Sequence, residues 1–190
     1  VAALGTKGIN EALFTELGEY VYSEFLVNTR DPESRDLIAW HRSKGHQVVI
    51  ISAATSYQIN PIAKELGIEH VYSTRMEVRK GKFTGRVAEM CWGEGKARAG
   101  RTFAKENNID LSKSYFYTDS FDDYPLLEII GNPIATNPDR KLSQIAFENN
   151  WPILRFEEPV GKPVVNAFRT GLAAASIYPS HSKHTHKHTH

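Results

Sequence analysis

The 190 residues carry 23 lysines and arginines against 22 aspartates and glutamates, with 41% hydrophobic and 24% charged residues, the profile of a folded globular protein. Ten residues at positions 181–190 hold two of the lysines and five of the eight histidines, leaving 21 basic against 22 acidic residues before them. A body so near neutral excludes a nucleic-acid binder driven by phosphate neutralisation. The single cysteine, Cys91, excludes an internal disulfide framework and a multi-cysteine zinc site. No apolar run reaches the roughly 18–20 residues of a membrane span and the first residues lack a signal-peptide layout, so the expected setting is reducing and cytoplasmic.

Leu13, Leu17, Val21 and Phe25 recur at steps of four through residues 10–27, a helix period. Asp31 and Pro32 open a second helix as N-cap and first turn, and Gly45 stops it after about Lys44. Residues 46–51, HQVVII, form a continuous apolar run too short for a buried helix, and read as a strand covered on both faces. A helix over 56–66 ends at Gly67, with Pro61 disturbing its first half. A short strand over 69–73 precedes a hairpin, 75–79 and 82–87, that turns at Lys80-Gly81. Then come a helix over 95–107, a strand over 114–118, a helical stretch over 124–130, a strand over 133–136, a helix over 139–149 and a last strand over 152–156. This alternation predicts an α/β fold with a parallel, doubly wound sheet, whose ligands bind beyond the carboxyl ends of the strands.

Three such ends carry chemistry. Ser52 ends the first strand, where a hydroxyl and the following backbone amides suit an anion, although a serine there is more often a helix cap. Lys96 lies at the start of a helix, where a positive charge opposes the helix dipole; a bound anion removes the conflict, and a solvated surface lysine is the plainer alternative. The segment SYFYTDSFDDYPLLE puts Asp119 just past an apolar strand, with Asp122 and Asp123 on the next turn. Three carboxylates within five residues repel one another. Mg²⁺, held by carboxylate, water and substrate phosphate, is the expected relief, although one of these aspartates capping the next helix is the plain structural reading.

Ser52 after VVII, Lys96 in CWGEGKARA, and YTDSFDDYPLLEIIGNPIATNPDRKL together resemble the haloacid dehalogenase superfamily, in its phosphoserine-phosphatase-like branch, across about residues 45–157. The resemblance implies a Rossmann-like core and Mg²⁺-dependent hydrolysis of a small phosphorylated metabolite, such as a phosphorylated amino acid or amino alcohol, through an aspartyl-phosphate. By position, Ser52 would bond a phosphoryl oxygen, Lys96 would neutralise the phosphoryl group and orient the nucleophile, Asp119 would ligate the metal, and Asp123 would help hold the metal shell and pair with the lysine. Such transfer depends on positioning and charge neutralisation more than on covalent chemistry by the protein. Asp122 departs from the family pattern, which more often has a small neutral polar residue there, and is expected to point to solvent.

The family's nucleophile lies in a DxDx[TV] motif on a first strand, and no D-x-D occurs in this sequence. The sequence is therefore expected to begin inside the helical cap of such an enzyme, giving the C-terminal part of a cap over 1–30, the core over 31–158, a linker or short helix over 159–180, and a His-rich disordered tail or purification device over 181–190. The strand between those ending at Ser52 and Asp119 is then expected to be missing or replaced by another segment, the apolar VAAL at residues 1–4 being a candidate. A non-catalytic or regulatory binding module is the alternative to an enzyme. A nucleotide-binding Rossmann module is weaker, because SAATSY lacks its glycine-rich turn. Cys91 reads as a packing residue, Trp92 as a packing residue or a cap contact, and His41 and His46 as groups meeting a helix end or solvent. The sequence fixes no oligomeric state.

Overall fold

The structure, a computed structural model, describes residues 3–26, 32–156 and the strand at 173–179. A 3₁₀ turn, Leu4–Thr6, precedes helix α1, Glu11–Val21, which runs on as a π-helical turn over Tyr22–Leu26. The other helices are α2 Pro32–Ser43, α3 Ser56–Leu66, α4 Glu94–Glu106, α5 Tyr124–Leu127 and α6 Arg140–Glu148. The strands are β1 Gln47–Thr55, β2 His70–Arg79, β3 Lys82–Glu89, β4 Ile109–Thr118, β5 Asn132–Thr136, β6 Ile153–Leu154 and β7 Ala173–Pro179. They form one seven-stranded sheet in the order β3-β2-β1-β7-β4-β5-β6. β1 and β2 are parallel, as are β4, β5 and β6, whereas β7 runs antiparallel to both β1 and β4.

The apolar run at Val49, Ile50 and Ile51 is fully buried, as a strand covered on both faces requires. Alternation splits it: Val49 and Ile51 pack with Ala97, Phe103, Phe116 and Leu126, while Ile50 packs with Ile59, Ala63 and Ile68. Helix α4 therefore covers one face of the sheet and α3 the other.

Helix α3 keeps its full length through Pro61. Proline has no N–H for the carbonyl four residues back, which here belongs to Tyr57, and α1 backs its Gly18 onto that carbonyl. A Cβ on Gly18 would lie 2.0 Å from Tyr57 O. Around this contact Phe14, Tyr57 and Phe83 meet edge to face with centroids 4.9–6.0 Å apart, and Tyr57 donates to Glu11 Oε1 at 2.8 Å. The face of α1 that docks carries Phe14 and Gly18, while Leu13 and Leu17 of the four-residue stripe are exposed.

Three expectations need correction. Residues 173–179, expected within a linker or short helix, form β7, and it is this segment, not VAAL, that lies between β1 and β4. An open slot there would leave two rows of buried backbone groups unpaired, each costing about 1–3 kcal/mol, and any extended segment that pairs with both rows removes that cost. His41 and His46 do not meet solvent: both are buried, their Nδ1 atoms 2.8 Å apart, with His41 Nε2 2.8 Å from Tyr117 Oη. The strand over 69–73 and the hairpin's first arm are one strand, β2, which pairs with β1 and then with β3. Asp31, residues 159–172 and the His-rich tail lie outside the described residues.

Candidate active site

Lys96 lies in the first turn of α4 with only 2% of its surface exposed. The glycines before it allow this entry: a Cβ on Gly95 would lie 2.1 Å from Met90 O. The Lys96 ammonium sits 2.7 Å from both carboxylate oxygens of Asp123, which is equally buried. Thr118, the last residue of β4, donates to Asp123 Oδ2 at 2.5 Å. A lysine misplaced against the helix dipole thus has its counter-ion from the turn after β4.

Asp119 follows β4 directly. Burial pushes its carboxyl above the usual range; the negative charges of Asp123 and Asp139 act in the same direction, while its own backbone amide and Lys96 oppose them. Asp139 donates its N–H to Asp119 O at 2.7 Å, and its carboxylate accepts from Phe121 N and Leu142 N, each at 2.7 Å, capping α6. Asp122 is exposed and accepts from the indole Nε1 of Trp92 at 3.3 Å.

Ser52 is fully buried on β1, and its Oγ accepts from Ala54 N at 3.1 Å. Register brings it toward Asp119: Ile51 pairs with Ala173 and Tyr117 with Ala174, so Ser52 and Asp119 both follow these pairs at the same edge of the sheet, where β1 and β4 flank the start of β7. With neighbouring strands ~4.8 Å apart, the ends of β1 and β4 on either side of β7 are roughly 10 Å apart. Cys91 marks the space beside them, since the Ser52 backbone and the Lys96 and Asp123 charges all act on its thiol. Burial dominates there and pushes the thiol up to about 11, so Cys91 stays protonated and packs.

Asp119 and Asp123 supply two carboxylates, and among the described residues no metal-ligating cluster of three or more His, Cys, Asp or Glu side chains forms. That donor set fits Mg²⁺, which takes one or two carboxylates and completes its shell with water and phosphate. The lysine and threonine already occupy the Asp123 carboxylate, so Asp119 is the residue that would ligate such a metal directly. Sequence reasoning missed Thr118 and Asp139. Thr118 adjoins Asp119 at the same strand end, and Asp139 stands at the N-cap position before α6, so position alone signalled both.

A model of the haloacid dehalogenase-like hydrolase family matches residues 3–128, and the chain belongs to that family. It is 45% identical over 128 residues to a probable phosphatase of Mycobacterium tuberculosis, an alignment covering 67% of this chain and 45% of that protein. It is 35% identical over 151 residues to a phosphoserine phosphatase of the same organism, covering 79% and 49%. A solved structure of a Bordetella pertussis Tohama I protein of unknown function superposes with a TM-score of 0.73 at 28% identity, covering 80% of this chain and 70% of that one. The chain spans about half the length of the curated relatives it matches.

Proposed function

We propose that this chain carries the phosphate- and Mg²⁺-binding part of a cytoplasmic phosphomonoester hydrolase that acts on a small phosphorylated metabolite through an aspartyl-phosphate. The observation that carries the reading is the buried Lys96–Asp123 pair next to Asp119, at the sheet edge where parallel α/β proteins bind ligands. An ammonium has three donors. Two are taken by the Asp123 carboxylate, and the third remains for a phosphoryl oxygen. The Ser52 hydroxyl, at the end of β1, is the group that would bond a second oxygen. Asp119 holds Mg²⁺, which when bound supplies charge neutralisation for carboxylate and phosphate together. Residues 3–26, which pack on α3 and β3, belong to the end of a cap in this reading.

The strand between β1 and β4 reads AAASIYP and has no carboxylate. The 190-residue chain is therefore expected to bind phosphate and Mg²⁺ without turnover. Calorimetry tests this with Mg²⁺ and inorganic phosphate. Asp119→Asn should lose Mg²⁺ binding at least tenfold. It should also raise the stability of the metal-free protein, because it removes a carboxylate that burial disfavours. Unchanged Mg²⁺ affinity in Asp119→Asn would remove Asp119 from the metal site. Robust, Asp119-dependent hydrolysis of an aryl phosphate by this chain would mean that another carboxylate is the nucleophile.

A further inference from the structure

We infer that Asp139 is a positioning residue for Asp119: its amide and its carboxylate hold the turn after β4 on both sides of Ser120 and so fix where the Asp119 carboxylate stands. This rests on Asp119 being the metal ligand proposed above. Parallel pairing of β4 with β5 ends at Thr118 and Ala135, so Asp119 lies beyond that ladder and its main chain needs another support. The Asp139 N–H donates to Asp119 O at 2.7 Å, and the Phe121 N–H donates to Asp139 Oδ2 at 2.7 Å. One residue thus bridges positions 119 and 121, with a side-chain oxygen accepting where a neighbouring strand would offer a carbonyl. The Phe121 ring is held as well, stacked on Tyr124 with the Lys141 ammonium 3.6 Å from its centroid.

Asp139 can serve as an anchor because it is itself tied down from both directions. Its second carboxylate oxygen accepts from Leu142 N at 2.7 Å and its carbonyl from Ser143 N at 2.8 Å, and Leu142 is fully buried. Two residues earlier, Asn137 N donates to Leu154 O at 2.9 Å, and the Asn137 side chain donates to Phe156 O and accepts from Phe156 N, each at 3.0 Å. The start of α6 is therefore fastened to the core and to β6 before it reaches the turn. Position 139 requires two acceptor atoms, since the turn and the helix each use one. Serine caps a helix about as well as aspartate, but its single oxygen on a short arm suffices for Leu142 N and not for Phe121 N. With both oxygens committed to amides, Asp139 supports the metal site from outside the shell. Partners of this kind, which orient a ligating group without touching the metal, are worth about 10–100-fold in affinity.

The test is calorimetry of Mg²⁺ binding to the full chain, with amide hydrogen exchange and urea unfolding of the metal-free protein beside it. Asp139→Ser keeps the helix cap and the N–H to Asp119 O and removes the hold on Phe121. Asp122→Asn is the charge control, because it takes a carboxylate from the same turn without touching the bridge. Asp139→Ser is expected to bind Mg²⁺ at least tenfold more weakly than Asp122→Asn does. Its Phe121 amide, and the Asp123 amide that closes the turn on Ser120 O, should exchange at least tenfold faster than in the parent, while the amides inside α6 and the urea midpoint stay close to the parent's. Equal Mg²⁺ affinity in Asp139→Ser and Asp122→Asn, or a loss accompanied by an equal loosening of α6, overturns the positioning role while Mg²⁺ binding by the parent stands. Failure of the parent to bind Mg²⁺ overturns Asp119 as the ligand, and the positioning role with it.

Discussion

Replacing Lys96 by methionine keeps most of the aliphatic stem and removes the ammonium, leaving the Asp123 carboxylate buried with only the Thr118 hydroxyl as partner. Both members of the pair are 2% exposed, so water does not make up the loss. Breaking a buried pair on one side costs about 3–5 kcal/mol, a large share of the ~5–15 kcal/mol that holds a domain together. At roughly 2–4 °C per kcal/mol for a chain of this size, the melting temperature should fall by on the order of 10 °C. Urea unfolding, without Mg²⁺ or phosphate so that ligand linkage adds nothing, gives the free energy directly. The double variant Lys96→Met with Asp123→Leu leaves no buried charge and should be more stable than Lys96→Met alone; its remaining cost is about 1 kcal/mol for the unpaired Thr118 hydroxyl. A cost below about 1 kcal/mol for Lys96→Met, or purely additive effects in the double variant, would refute the coupling between these residues.

Gly18→Ala forces a methyl onto the Tyr57 carbonyl and should cost about 1–3 kcal/mol, seen as a lower urea midpoint, whereas Gly5→Ala meets nothing within 4 Å and serves as the control. The His41 network should make stability acid-sensitive. Burial, with help from the His46 charge, lowers the His41 pKa from 6.5 to about 4, so the unfolded chain binds this proton more readily than the folded one. Its contribution is intact above pH ~6.5 and is lost as pH falls toward 4, by at most about 3 kcal/mol. Burial, and the Lys44 charge beyond it, also lower His46, and the Tyr115 and Tyr117 rings pack on the two imidazoles. Urea titrations at pH 7 and 4.5 should show a smaller pH slope in His41→Phe than in the parent.

The parts of the fold that were legible in the sequence are those written locally. Helix α3 was placed at its observed bounds, since Thr55 donates to Gln58 at its start and left-handed Gly67 closes it. Lys80 and Gly81, both at positive φ, make the hairpin turn where expected. The helix-end position of the histidines is legible, His46 N bonding His41 O at the end of α2, but solvent is not their surroundings, because Tyr115 and Tyr117, some 70 residues away in sequence, pack on them, and a helix-end histidine followed by glycine looks the same whether or not a distant strand covers it.

The site and the strand beside it show the same division. Ser52, Lys96 and Asp119 could be picked out because each stands at the end of an element whose pattern is local, and a charge at such a position conflicts with burial or dipole unless a partner exists. Local pattern does not supply the identity of the partner; for Lys96 it was the family resemblance that gave Asp123, and the structure pairs the two. Asp123 answers Lys96 across 27 residues, and β7 answers β1 and β4 across more than a hundred and more than fifty. For β7 the demand is less specific still, because a strand slot asks for extended backbone donors and acceptors and places little constraint on side-chain identity. AAASIYP therefore meets a requirement set by the unpaired edges of β1 and β4, and direction is free as well, which is how an antiparallel strand comes to lie between parallel ones. A carboxylate at the site cannot be exchanged in this way: the ammonium of Lys96 needs a charge at one position, and among the described residues the turn after β4 provides it.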